Sequence, residues 1–172
     1  MTPLKELMEH HPRAGRVEWI GLRPARKQPL KMAQQVVAEA KRGLQGDHSV
    51  ARQGGKRQVT LIQREHLDVV ARLLGLDELD PALLRRNIVV SGINLFSLRR
   101  SRFRVGDALF EGTDFCHPCS RMEAALGFGG YNAMRGHGGI TARVLESGTL
   151  RLGDAVEWQS ASEDKSAPEQ LH

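Results

Sequence analysis

The chain has 172 residues, of which 40% are hydrophobic and 26% charged, with a net charge of +5. One domain of that length buries about 70% of its unfolded surface and needs no disulfide framework, which two cysteines would not supply in any case. No apolar run approaches the ~20 residues of a membrane span, and residues 1–14 lack the apolar stretch of a secretory signal, so a cytoplasmic protein with no membrane partner is expected.

Residues 1–14 read as a polar arm carrying His10, His11 and Pro12. Val17-Glu18-Trp19-Ile20-Gly21-Leu22 reads as a strand, and the basic loop Arg23-Pro24-Ala25-Arg26-Lys27-Gln28-Pro29 follows, kept extended by two prolines. In residues 30–44, Val36, Val37, Ala40 and Leu44 have helical spacing, with no clear cap at the start. Residues 43–55 contain four glycines and read as loop. Gln58-Val59-Thr60-Leu61-Ile62 is rich in β-formers and reads as a buried strand. The period then changes: Leu67, Val70 and Leu74 fall on one helical face, and Gly75 ends a helix over residues 64–74. Asp80-Pro81, an N-cap followed by proline at the first helical position, predicts a short helix over residues 80–86, and Ile88-Val89-Val90 a strand after it.

A local repeat comes next. Arg104-Val105-Gly106-Asp107-Ala108-Leu109 is echoed by Arg151-Leu152-Gly153-Asp154-Ala155-Val156, each copy placing a Gly-Asp turn before an alternating strand. Ile140-Thr141-Ala142-Arg143-Val144-Leu145 is a further strand. Many short strands with glycine turns predict a mainly β, α+β fold, a barrel or sandwich with a few short helices packed on it. The domain is expected over residues 15–160, with a polar, disordered tail over residues 161–172 that contains Pro168.

The only thiols are in Cys116-His117-Pro118-Cys119, so any thiol chemistry happens there. Pro118 and the helix-compatible Ser120-Arg121-Met122-Glu123-Ala124-Ala125-Leu126 put Cys119 near a helix start, where free amides and Arg121 favour the thiolate. A dithiol couple and a zinc site built from Cys116, Cys119, His117 and His137 are the alternatives. The first expects its cysteines at an early strand–loop–helix unit, whereas this pair lies late in a β-rich chain, and the spacing of the second matches no common finger. Gly136-His137-Gly138-Gly139 suits an amide nest for a phosphate, with Arg135 or Arg143 nearby, and equally a tight turn into the next strand. Asp47, His48, Lys56 and Arg57 flank the glycine-rich loop as possible anion contacts. Arginines crowd residues 85–104, but aromatics make up only 5% of the chain, so base stacking is poorly supplied and specific nucleic-acid binding is not expected.

Taken in order, these pieces resemble the MOSC family, the domain related to the C-terminal part of molybdenum-cofactor sulfurases. The carrying residues are Gly43-Leu44-Gln45-Gly46-Asp47-His48, Lys56-Arg57-Gln58-Val59-Thr60-Leu61-Ile62, Arg85-Arg86-Asn87-Ile88-Val89-Val90-Ser91-Gly92-Ile93-Asn94-Leu95, Val105-Gly106-Asp107, Pro118-Cys119, His137-Gly138-Gly139-Ile140 and Leu152-Gly153-Asp154. The resemblance is to the short, stand-alone form and implies a β-barrel that binds a molybdopterin-type molybdenum cofactor. It makes residues 30–44 extended, against their helical spacing. It places the family cysteine at Cys119, as a molybdenum ligand or a carrier of activated sulfur, and leaves Cys116 free for a disulfide or a persulfide-resolving role. It implies cofactor contacts from Asp47, His48, Lys56, Arg57, Arg86, Asn87, Asn94, Arg121, His137, Gly138 and Gly139. The implied activity is reduction of small N-hydroxylated compounds with an external electron donor. The other implied role is a non-redox carrier served by a cysteine desulfurase.

Overall fold

A computed structural model of the chain describes residues 1–48 and 54–160. The tail expected over residues 161–172 and part of the loop expected over residues 43–55 lie outside the described residues.

Strand β1 (Gly15–Leu22) follows a short helix α1 (Leu4–Leu7) that buries no side chain. Residues 30–44, spaced like a helix, are instead strands: β2 (Lys31–Met32), β3 (Gln35–Glu39) and β4 (Gly43–Leu44). The physical reason is the partner. Val36, Ala38 and Leu44 are buried in the barrel core, and β3 alternates exposed and buried residues as a half-buried strand does. Then come β5 (Val59–Gln63), α2 (Arg64–Leu73) and β6 (Ile88–Ser91). The helix expected over residues 80–86 is a single 3-10 turn, Pro81–Leu84, whose N-cap Asp80 accepts the Ala82 N–H at 2.9 Å. It stops early because Arg85 turns left-handed, at φ 60°.

Strands β7 (Arg102–Val105) and β8 (Ala108–Phe115), helices α3 (Ser120–Leu126) and α4 (Gly130–Met134), and strands β9 (Ile140–Glu146), β10 (Gly148–Arg151) and β11 (Ala155–Gln159) complete the order. Among the described residues seven strands run β11-β7-β8-β9-β5-β6-β1, and β1 pairs back to β11 to close a barrel. Only the β5–β6 pair in it is parallel, bridged by α2 and the 3-10 turn. Strands β10, β3 and β4 form a second, three-stranded sheet.

Two apolar layers result. Val17, Ile20, Leu61, Ile88, Val90, Val105 and the stacked pair Phe103–Phe110 (centroids 5.8 Å apart) fill the barrel. On the outer face of β5 and β6, Ile62 and Val89 meet Leu67, Val70, Leu84, Met122 and Met134 from the helical layer. That cover explains why β5 and β6 read as continuous apolar runs while β7 and β11 alternate. The repeated hexapeptides pair with each other: Val105 lies opposite Val156 across β7 and β11.

Candidate functional site

The cysteines have opposite environments, although three residues apart. Strand β8 ends as Phe115 pairs with Ile140, and the Cys116 N–H then donates to the Gly139 carbonyl at 2.9 Å. Cys116 is buried, the chain turns outward through Pro118, and Cys119 is exposed at the N-cap of α3. Both thiols are free. The zinc reading does not assemble: among the described residues no group of three or more His, Cys, Asp or Glu could hold a metal. His137 instead lies with Nδ1 3.1 Å from the Ala133 carbonyl and stands edge-on to His66 at 5.1 Å. His117 is tilted against Phe115.

Arg86 holds this region together. It is 6% exposed, and its guanidinium donates to three carbonyls: Nε to Gly138 (2.8 Å), Nη1 to Leu84 (2.9 Å) and Nη2 to Cys116 (3.2 Å). It therefore ties the 3-10 turn, the end of β8 and the start of β9 into one unit. Burial lowers its pKa from the ordinary arginine value, while Cys116 and Cys119 oppose that shift and Arg57 adds to it. Gly138 and Gly139 serve the same packing. A Cβ on Gly138 would lie 2.0 Å from the Cys116 carbonyl oxygen, and one on Gly139, at φ +84°, 1.9 Å from that of Leu61. Close backbone approach accounts for these glycines, as the turn reading requires. The arginines expected beside them go elsewhere: Arg143 pairs with Glu111 at 2.7 Å, and Arg135 reaches Asn132 at 3.5 Å.

Asp47, His48 and Asn87 converge on Arg23. Buried Asp47 accepts the Arg23 N–H at 2.9 Å, and the His48 N–H donates to the Arg23 carbonyl at 2.8 Å. Asn87 donates to Asp47 (3.3 Å) and to the Gly21 carbonyl (3.1 Å) and accepts from the Thr60 N–H (3.1 Å). This network roots the basic loop on β5 and β6. The buried Nε of Arg23 has no hydrogen-bond partner among the described residues. Its charge acts on Arg85. Burial lowers the Arg85 pKa most, then the cations Arg23 and Arg121, with Cys119 acting against them. Arg23, Arg85, Arg121 and Cys119 thus share one electrostatic neighbourhood, with Arg86 and Arg57 at its edge. No ion pair among the described residues engages any of these arginines.

Two predicted contacts lie outside that group. Lys56 lines a groove of ≈ 310 Å³ with Arg100 and Arg143, and its carbonyl accepts from the Thr113 hydroxyl at 2.6 Å. Asn94 caps the 3-10 turn Leu95–Leu98, accepting the Phe96 N–H at 3.2 Å. Conversely, sequence reasoning passed over Arg23 as a site residue. The only available signal was the basic, proline-bounded loop that begins with it.

A family model for the MOSC domain matches residues 40–157. The chain belongs to the MOSC domain family. Its fold agrees with that of the YuaD protein from Bacillus subtilis, at TM-score 0.75 and 20% identity, over 86% of this chain and 97% of that one. YiiM from Escherichia coli gives TM-score 0.65 at 20% identity, over 87% of this MOSC chain and 71% of YiiM. YiiM from Geobacillus stearothermophilus gives 0.69 at 16%, over 85% and 75%. No curated protein sequence matches the chain. These structures confirm the mainly β, α+β barrel with short peripheral helices. No helix among the described residues is long and apolar enough to cross a membrane.

Proposed function

We propose that this MOSC chain binds a molybdenum cofactor and reduces small N-hydroxylated compounds, with Cys119 Sγ as the metal ligand. The observation that carries the reading is that Arg23, Arg121 and Cys119 all act electrostatically on half-buried Arg85, while no ion pair among the described residues engages these arginines. Like charges that act on one another are stabilised by an anion from outside the chain, most where, as at Arg23 and Arg85, they are half-buried. Guanidinium forks match a phosphate, and an exposed thiolate is a soft ligand suited to molybdenum. The residues present therefore fit both ends of a molybdopterin-type group.

In this reading Arg23, Arg85 and Arg121 bind the anionic end and Cys119 the metal. Arg57 adds charge at the edge. Arg86, through its three carbonyl bonds, keeps the Cys119 loop in register with the strand ends. The cofactor supplies two-electron redox chemistry when bound, and an external donor in the cytoplasm supplies the electrons. The exposure of Cys119 also suits a second role, carrying a persulfide from a cysteine desulfurase, because a partner's active site can reach the sulfur.

The test is metal, pterin and sulfane-sulfur analysis of protein purified from a cofactor-competent host. Stoichiometric molybdenum and pterin, lost in Cys119→Ala, are expected. A charge-assisted hydrogen bond contributes about 1.5–3 kcal/mol, so Arg23→Ala lowers cofactor affinity about ten-fold or more. A persulfide on Cys119 without metal would select the carrier role, and neither metal nor persulfide would retire both.

A further inference from the structure

Strands β8 and β9 alternate. Phe110, Ala142 and Val144 fill the barrel core, so Glu111, Thr113 and Arg143 stand on its outer face. There they line the groove of ≈ 310 Å³ together with Lys56, Arg100 and Gly112. Neither Cys119 nor Arg23, Arg57, Arg85, Arg86 or Arg121 lines it. Three cations thus face a single carboxylate, and that carboxylate is already engaged: Glu111 Oε1 lies 2.7 Å from Arg143 Nη2. Lys56 and Arg100 are exposed, and no ion pair among the described residues engages either.

Both exposed cations rise from main chain pinned to consecutive residues of β8. The Arg100 N–H donates to the Gly112 carbonyl (2.9 Å), and the Gly112 N–H donates to the Ser101 carbonyl (2.9 Å). A Cβ on Gly112 would lie 2.2 Å from the Leu98 carbonyl oxygen, so only glycine lets this segment close onto the strand. The closure holds Arg100 at φ 61°, a left-handed conformation that arginine seldom adopts. One residue further along β8, the Thr113 hydroxyl donates to the Lys56 carbonyl at 2.6 Å. Fixed roots beneath two unpaired cations lower the entropy lost when the side chains close on a ligand. Apart from Gly112 and Thr113, every lining residue is charged, so the groove offers no apolar wall. Its cations exceed its carboxylate by two charges.

We propose that this groove binds a small phosphate dianion, free or as the end of a phosphorylated metabolite, with the Arg100 guanidinium and the Lys56 ammonium as its contacts. One dianion neutralises the two excess charges. The guanidinium fork supplies paired N–H donors to the phosphate oxygens, the ammonium supplies a point charge, and Arg143 adds to the field from behind Glu111. Binding here needs neither a metal nor Cys119, so the groove is a second ligand site on the barrel wall, separate from the cluster around Arg85.

The experiment is a nuclear magnetic resonance titration of the full-length, isotope-labelled chain at constant ionic strength and about pH 8, where phosphate is a dianion. The probes are inorganic phosphate, glycerol 3-phosphate and, as the monoanion, acetate. Saturable phosphate shifts are expected at residues 56, 100, 111–113 and 143, with a dissociation constant below about 1 mM and acetate about ten-fold weaker. Tighter binding of the ester assigns the groove to a phosphorylated metabolite, and tighter binding of inorganic phosphate assigns it to the free ion. Arg100→Gly removes the cation at a φ that glycine accepts, and Lys56→Ala leaves the main-chain bond to Thr113 in place; each should weaken binding about ten-fold. Glu111→Gln removes the only carboxylate and should tighten binding about three-fold, a gain that a damaged fold would not produce. Absent shifts, equal acetate binding, shifts confined to residues 23, 85, 119 and 121, or unchanged affinity in Arg100→Gly would overturn the proposal.

Discussion

Asp47 on the Arg23 amide and the His48 N–H on its carbonyl hold the main chain from both sides, so the guanidinium starts from a fixed root. Fixing the root lowers the entropy lost when the side chain binds an anion. Arg86 is a different kind of arginine. All of its guanidinium nitrogens face main-chain carbonyls, so it organises the site from inside. Burial likewise separates the cysteines. Cys119→Ala alters an exposed residue and is expected to abolish activity or sulfur loading with an unchanged melting temperature. Cys116→Ala removes a buried Sγ, so it should lose about 1 kcal/mol of stability and keep most of the activity. Paired assays and thermal melts check the ranking, and the reverse order of activities would reassign the chemistry to Cys116.

At the scale of elements, the turn into β9 is the most constrained connection near the site. Gly139 adopts φ +84°, and any side chain there would strike the Leu61 carbonyl. Gly139→Ala is therefore expected to destabilise by about 3 kcal/mol or more and to shift the β5–β9 register. Chemical denaturation measures this, and a change under 1 kcal/mol would mean that the backbone there relaxes freely. The segment over residues 30–44 teaches the complementary lesson. Its spacing is helical, yet β3 pairs with β10, because Gln35 to Ala38 find a ladder of partners from Arg151 to Gly148. Tertiary pairing outweighs a weak helical preference that no cap supports.

For the whole molecule, the imidazoles couple stability to pH. His11 and His66 have folded pKa values below their ordinary 6.5. The unfolded chain thus binds more protons between those lowered values and 6.5, and stability rises with pH across that window. The contribution is complete above the unfolded value and is lost as pH falls through the folded ones. The lowered carboxylates Glu65, Asp114 and Glu123 act with the same sign, but below their ordinary values of 3.8 to 4.5. The melting temperature should fall between about pH 7 and pH 5, and the slope should flatten in the His11→Phe, His66→Gln double variant; an unchanged slope would remove the imidazoles as its cause. The crowded arginines also diverge at this scale. Arg86 points inward, Arg99 pairs with Asp114 (3.4 Å) and covers the Phe115 ring, and Arg104 pairs with Glu146 (2.8 Å). With these three directed to different partners, nucleic-acid binding is expected to be weak and abolished by physiological salt. Titrations of duplex and single strands at two salt concentrations test this, and sub-micromolar, sequence-selective binding at the higher salt would contradict it.

Local patterns in the sequence were enough for the strands β1, β5, β6 and β9, helix α2, the capped turn at Asp80 and the Gly-Asp turns, because each depends on neighbours within a few residues. The ordered motifs were also enough for the family. Tertiary structure alone decided the closure of β1 onto β11, the burial of Cys116 beside an exposed Cys119, the inward turn of Arg86, and the electrostatic influence of Arg23 on Arg85. Those outcomes depend on residues far apart in the chain, whose charge and desolvation energies exist only once the barrel has brought them together. No local spacing encodes such a sum.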